Sequence, residues 1–153
     1  MEEGEARSGV TVRNDQAVRI VPEGFLKRLE ECGEQAIQLI LERYLDRVNP
    51  PLVVSVTLID DLKIGRVHLQ FMDDPSATDV ITFPYGEEGE ILISVETAER
   101  QALEYGVSVE RELVLYLIHG LLHLSGYGDT TETSRAEMDE LQESLLAEVF
   151  REG

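Results

Sequence analysis

Apolar residues recur every three or four positions from Glu23 to about Arg47. Leu26, Leu29, Ala36, Ile37, Ile40 and Tyr44 share one helical face, and Asn49-Pro50-Pro51 ends the helix. Before it, Val10-Thr11-Val12-Arg13 alternates as a short strand, with a continuation at Val18-Arg19-Ile20-Val21. After it, Leu52 to Ile59 alternates and is rich in β-branched residues. Val67, Leu69 and Phe71 alternate with His68 and Gln70, so two strands are predicted around a turn near Asp60-Asp61. On that pattern His68 lies opposite the apolar residues, facing solvent or a cleft. Ala77 to Pro84 precedes an acidic, glycine-bearing loop, and Gly89 to Ser94 reads as a strand running into a helix. Ser94 caps that helix, Glu96 sits near its positive end, and Gly106 stops it. Ser108 caps the next helix, with Glu110 and Glu112 in its first turn. Ser134 and Glu137 have capping-box spacing ahead of Met138, Leu141, Leu145 and Val149, a last amphipathic helix. Helices and strands mix without repeats or linkers, which predicts one α+β or α/β domain, its sheet covered by helices.

The chain has 153 residues, enough for one domain with a real core, and its 42% hydrophobic and 29% charged composition is globular. Met1 to Glu5 is acidic and lacks a secretory apolar stretch, and no segment approaches the roughly 20 apolar residues of a membrane span. A cytoplasmic location and no membrane partner are expected. The single cysteine, Cys32, excludes an internal disulfide and lies on a helix with Leu29 and Ala36, as a small core residue. The net charge of −18 changes the picture, because it repels a polyanion. Any nucleic-acid activity must rest on a local site, a metal or a partner that presents the substrate.

The chemistry lies in His119-Gly120-Leu121-Leu122-His123-Leu124-Ser125-Gly126-Tyr127-Gly128-Asp129. Residues four apart stand on the same face of a helix, so the imidazoles of His119 and His123 can converge on one ion. Gly126 can take the positive φ that turns the chain back across the helix end and brings Asp129 within reach. The run matches the zinc-protease pattern H-E-x-x-H-x-x-G-x-x-H at its two histidines and its glycine. Gly120 stands where the glutamate would be, and Asp129 is the last ligand. Three protein ligands leave a position open for water, as a catalytic ion requires. Between Leu113 and Leu124 the run is otherwise apolar, where an unpaired imidazole would cost roughly 1–3 kcal/mol. Glu112, two turns before His119, is placed to orient a ligand; the dipole of the helix favours a carboxylate there in any case. A metalloprotease is disfavoured by the missing glutamate. The spacing H-x-x-x-H-x-x-x-x-x-D is not that expected of a two-histidine, one-carboxylate iron oxygenase.

These residues resemble the YbeY family of bacterial endoribonucleases involved in ribosomal RNA maturation, whose hallmark is H-G-x-L-H-L-x-G-Y-D-H. Glu112, Ala77-Thr78-Asp79-Val80 with Phe83-Pro84, Gly89-Glu90-Ile91 ending in Ser94, and the spacing of Met138 are similar too, in the same order. The resemblance implies a small α+β domain over residues 1–153, its sheet mostly parallel and covered by helices, with the metal site at the end of a central helix. It also implies one zinc ion per chain. The family's third histidine is here Asp129, a carboxylate that binds zinc at roughly 2.0–2.2 Å and makes bound water less acidic than a third imidazole would. An arginine suited to phosphate, six residues ahead of the family's threonine, is here Met72, which cannot clamp a phosphate. Arg66 and Lys63 replace it only if the fold carries them to the cleft; otherwise they solvate the surface. The expected function is a metal-dependent endoribonuclease of ribosomal RNA processing, with His119 and Glu112 catalytic and His119, His123 and Asp129 holding the metal. The expected partners are ribosomal RNA, a small-subunit ribosomal protein and the GTPase Era. The alternative is a metal-stabilised binding module of ribosome assembly with weakened catalysis.

Overall fold

The computed structural model of the chain describes residues 9–44, 50–73, 78–128 and 130–151. Strands β1 (Gly9–Asn14), β2 (Val53–Ile59), β3 (Val80–Tyr85) and β4 (Glu88–Ser94) form one sheet in the order β1-β2-β4-β3. β1, β2 and β4 run parallel, and β3 pairs antiparallel with β4 at the edge. Helices α1 (Glu23–Tyr44), α2 (Asp61–Met72), α3 (Val95–Tyr105), α4 (Val109–Leu124) and α5 (Glu132–Val149) complete the described residues. The α+β class and the mostly parallel sheet are therefore as expected. No described helix is long and apolar enough to cross a membrane.

Strand alternation divides the core. Val54, Val56 and Leu58 of β2 and Ile91 and Ile93 of β4 turn to one face, where they meet Leu29, Ala36 and Ile40 of α1 and Leu113, Leu117 and Leu121 of α4. Ile59, Ile81 and Leu92 turn to the other face and meet Ile64 of α2. Cys32 is buried in the larger cluster, as predicted.

Three elements differ from the sequence expectation. The segment around Val67 to Phe71 is helical, not a strand. Its start is set by Asp60, whose carboxylate accepts from the backbone N–H of Lys63 at 2.8 Å. The next carboxylate, Asp61, accepts from Ser94 Oγ at 2.6 Å and Thr97 Oγ1 at 3.0 Å and pairs with Arg100 at 2.7 Å. Burial opposes ionisation of Asp61, but these donors outweigh it and hold the carboxyl below its ordinary range. Ile64, Val67 and Phe71 then share a helical face, with Ile64 buried, Val67 half-buried and both Phe71 and Leu69 exposed. Second, Val18 to Val21 is not a strand. Gln16 Oε1 accepts from the N–H groups of Val18 and Arg19, and its amide donates to the Arg19 carbonyl, closing a turn. Third, Ser134 is not the cap of α5. Thr131 is the cap, and Ser134 returns the hydrogen bond from the third position, so the helix begins at Glu132. The expected end of α1 at Arg47 lies outside the described residues.

Candidate metal centre

Two close approaches seat α4 on the sheet. A Cβ added at Gly120 would stand 2.9 Å from Cδ1 of Ile91, and one at Gly89 would stand 2.6 Å from Cδ1 of Leu124. The missing side chains bring the histidine-bearing end of α4 down onto β4. Ser108 caps the other end, accepting from Arg111 N–H at 3.0 Å. The helix stops at Leu124, and Gly126 takes φ +113°. Its N–H donates to the His123 carbonyl at 3.0 Å, and the N–H of buried Tyr127 donates back to the Leu122 carbonyl at 3.0 Å. The chain thus folds back across the helix end, as the glycine predicted. Asp129 lies outside the described residues.

His119 and His123 are brought together. Their Nε2 atoms face each other at 3.0 Å, with ring centroids 4.6 Å apart and planes at 74°. Both rings are half-buried. A tetrahedral ion with metal–nitrogen bonds of about 2.0–2.1 Å separates two ligand nitrogens by about 3.3 Å, so little adjustment makes this pair a two-toothed clamp. Imidazole pairs suit zinc and other borderline divalent ions. Among the described residues no third histidine, cysteine or carboxylate completes a cluster with them.

The partner of His119 is one the sequence reading passed over. Its Nδ1 is hydrogen-bonded to Oε1 of Gln142 on α5. A signal was present: Gln142 follows Leu141, stands four after Met138 and is buried in their helical stripe. A polar residue at a core position needs a partner.

Glu112 is elsewhere. Seven residues before His119, it is displaced by about 10 Å along the helix axis. It is buried, with Arg111 at 3.8 Å and Tyr116 one turn further along the helix. Burial raises its pKa, Asp79 and Glu143 add to the rise, and Tyr116 and Arg111 oppose it. A carboxyl whose folded pKa is raised stabilises the fold fully below its ordinary pKa and loses that contribution as pH rises through the folded value. Glu112→Gln is therefore expected to stabilise the protein at pH 7 and to give no gain at about pH 4. Urea denaturation at the two pH values measures this; an equal gain at both refutes the burial account.

Lys63 and Arg66 do not reach the histidines. With Arg13, Asp15, Thr57, Glu90 and Leu92 they line a groove of about 300 Å³. Leu92 and Glu90 point to the face opposite Ile91, against which Gly120 packs, so the sheet lies between this groove and the α4 residues seated on β4. Lys63 is paired with Asp15 at 3.2 Å. Met72 ends α2 half exposed, beside Phe71, whose ring meets Phe83 edge-on at 5.1 Å.

Fold and site together define a class: an α+β fold with a mostly parallel sheet whose central helix ends in a pair of facing histidines. Residues 22–150 match the family model described as Endoribonuclease YbeY. The chain belongs to the YbeY endoribonuclease family. Among its relatives, Endoribonuclease YbeY of Heliobacterium modesticaldum is 38% identical over 138 residues, covering 74% of this chain and 83% of that protein. Endoribonuclease YbeY of Moorella thermoacetica is 39% identical, covering 91% and 96% respectively. The solution structure of TM1509 from Thermotoga maritima superposes with a TM-score of 0.60 at 28% identity, covering 92% of this chain and 88% of the other.

Proposed function

We propose that this protein is a metal-dependent endoribonuclease of ribosomal RNA processing, working in the cytoplasm with one zinc ion per chain. The observation that carries the proposal is the pair of facing Nε2 atoms of His119 and His123, 3.0 Å apart, in a chain whose relatives are endoribonucleases. In this reading His119 and His123 supply two ligands from one helix face, and Asp129 supplies the third from the segment beyond the Gly126 turn. The bound ion would act as a Lewis acid on water and on a phosphate oxygen. The two imidazoles would hold it from one helix. Asp129 adds the one anionic ligand, which partly offsets the charge of the ion. Glu112, about 10 Å from His119 along the helix axis, takes no direct part at the ion in this reading.

The chain carries −18 overall, so the proposal assigns RNA capture to the metal and to partners. An acidic surface suits basic ribosomal proteins, and a small-subunit ribosomal protein and the GTPase Era are the proposed partners. Met72, half exposed where the family has a phosphate-binding arginine, favours a second reading: a metal-stabilised binding module of ribosome assembly with weakened cleavage.

Elemental analysis of the purified protein and of Asp129→Ala, with cleavage of structured and single-stranded RNA, separates these readings. Stoichiometric zinc in the wild type, lost in Asp129→Ala together with cleavage, supports the nuclease. Intact RNA in every case, with ribosomal partners retained in a pull-down that His119→Ala weakens, supports the binding module. No metal, no cleavage and no ribosomal partner would overturn both.

A further inference from the structure

We propose that Gln142 is the positioning residue of the histidine pair, fixing His119 in the tautomer whose Nε2 lone pair faces His123. The metal-affinity part of this inference rests on the metal-centre reading; the tautomer part does not.

The geometry has three parts. Gln142 is 8% exposed, and its Oε1 meets His119 Nδ1 from a different helix, so the contact joins α5 to α4. A carbonyl oxygen only accepts, so Nδ1 must carry the ring proton. In a neutral imidazole that leaves Nε2 as the bare nitrogen, and Nε2 is the atom turned toward His123 at 3.0 Å. The opposite amide orientation would present NH2 to Nδ1, move the ring proton to Nε2 and block the nitrogen the ligand role needs. This hydrogen bond thereby favours both the direction of the ring and the nitrogen that carries no proton.

The chemistry of glutamine also suits this site. Groups hydrogen-bonded to a metal-ligating histidine orient it and raise its basicity, and losing one typically costs 10–100-fold in metal affinity. A carboxylate would orient the ring as well but would add a buried negative charge to the contact. An amide orients without charge. It also stays neutral across the working pH range, so its hold on His119 does not titrate.

The test uses the full chain, with Gln142→Leu and Gln142→Glu. Leucine keeps the volume and suits the stripe of Met138, Leu141 and Leu145, so the melting temperature is expected to hold or rise. Proton–nitrogen correlation spectra of the metal-free protein read the His119 tautomer, and competition with a chelator reads zinc affinity. In the wild type the Nδ1–H form of His119 should dominate. In Gln142→Leu that preference should disappear and zinc affinity should fall by about 10–100-fold, while Gln142→Glu restores both. An unchanged tautomer, or wild-type zinc affinity in a folded Gln142→Leu protein, overturns the assignment. If the tautomer responds as expected but the wild type binds no zinc, Gln142 is confirmed as the orienting group and the metal-centre reading fails.

Discussion

Gly120→Glu, which restores the residue a zinc protease carries between its two histidines, is expected to unfold this domain. A Cβ at position 120 would stand 2.9, 3.0 and 3.2 Å from three side-chain atoms of Ile91, which is itself fully buried. The carboxylate would follow it into an apolar contact with β4. An unpaired buried charge costs several kcal/mol after relaxation, and the steric shift adds to that. The expected loss exceeds about 4 kcal/mol, a large share of the 5–15 kcal/mol that holds a domain of this size. Gly120→Ala separates the two causes. Its methyl group meets Cδ1, Cγ2 and Cγ1 of Ile91, which has to give by a few tenths of an ångström, and alanine gains about 1 kcal/mol in helix propensity, so its net cost should stay below about 2 kcal/mol. Thermal melts followed by circular dichroism read both variants. A Gly120→Glu protein that melts with the wild type refutes the close seating of α4 on β4. Casein cleavage by it would revive the protease reading.

His123→Ala is expected to have the largest effect on activity. It removes one tooth of the clamp while leaving the buried face of α4, Leu113, Leu117, Ile118 and Leu121, untouched. Loss of an orienting group costs 10–100-fold in metal affinity, so loss of a ligand should cost more than about 100-fold. RNA cleavage should fall with it to below about one-hundredth of wild type. His123 is half-buried, and its removal leaves His119 held by Gln142, so the stability cost should stay near 1 kcal/mol. Chelator competition, RNA cleavage and a melt on the same preparation test all three. Wild-type cleavage by a folded His123→Ala protein would remove the histidine pair from the mechanism.

How far the fold could be read from the chain depended on how local its causes are. Ser94, Gly106 and Ser108 act on backbone groups within a few residues, and α3 begins and ends, and α4 begins, where those residues stand. α2 failed because Val67, Leu69 and Phe71 satisfy a two-residue period as well as Ile64, Val67 and Phe71 satisfy a helical one. The tie was broken by Ser94, Thr97 and Arg100, more than 30 residues away, which hold Asp61 at the helix start. At the other end of the chain, Thr131 and Ser134 could exchange roles in the capping box because both are hydroxyl residues at compatible spacing.

By itself the sequence determined the histidine pair and the turn beyond it. Four-residue spacing places two rings on one helix face wherever the helix forms, and Gly126, at the end of the apolar run, offers the positive φ on which the chain turns back. Only the tertiary structure decided what those rings are pointed at. Gln142 is 23 residues from His119 and meets it because α5 packs on α4. Gly120 serves contact with Ile91, which no local pattern reveals. Lys63 and Arg66 line a groove on the far sheet face, because strand alternation turns Glu90 and Leu92 away from Ile91. Ligand spacing is a property of one helix; ring orientation and the partners of a site depend on which elements pack together.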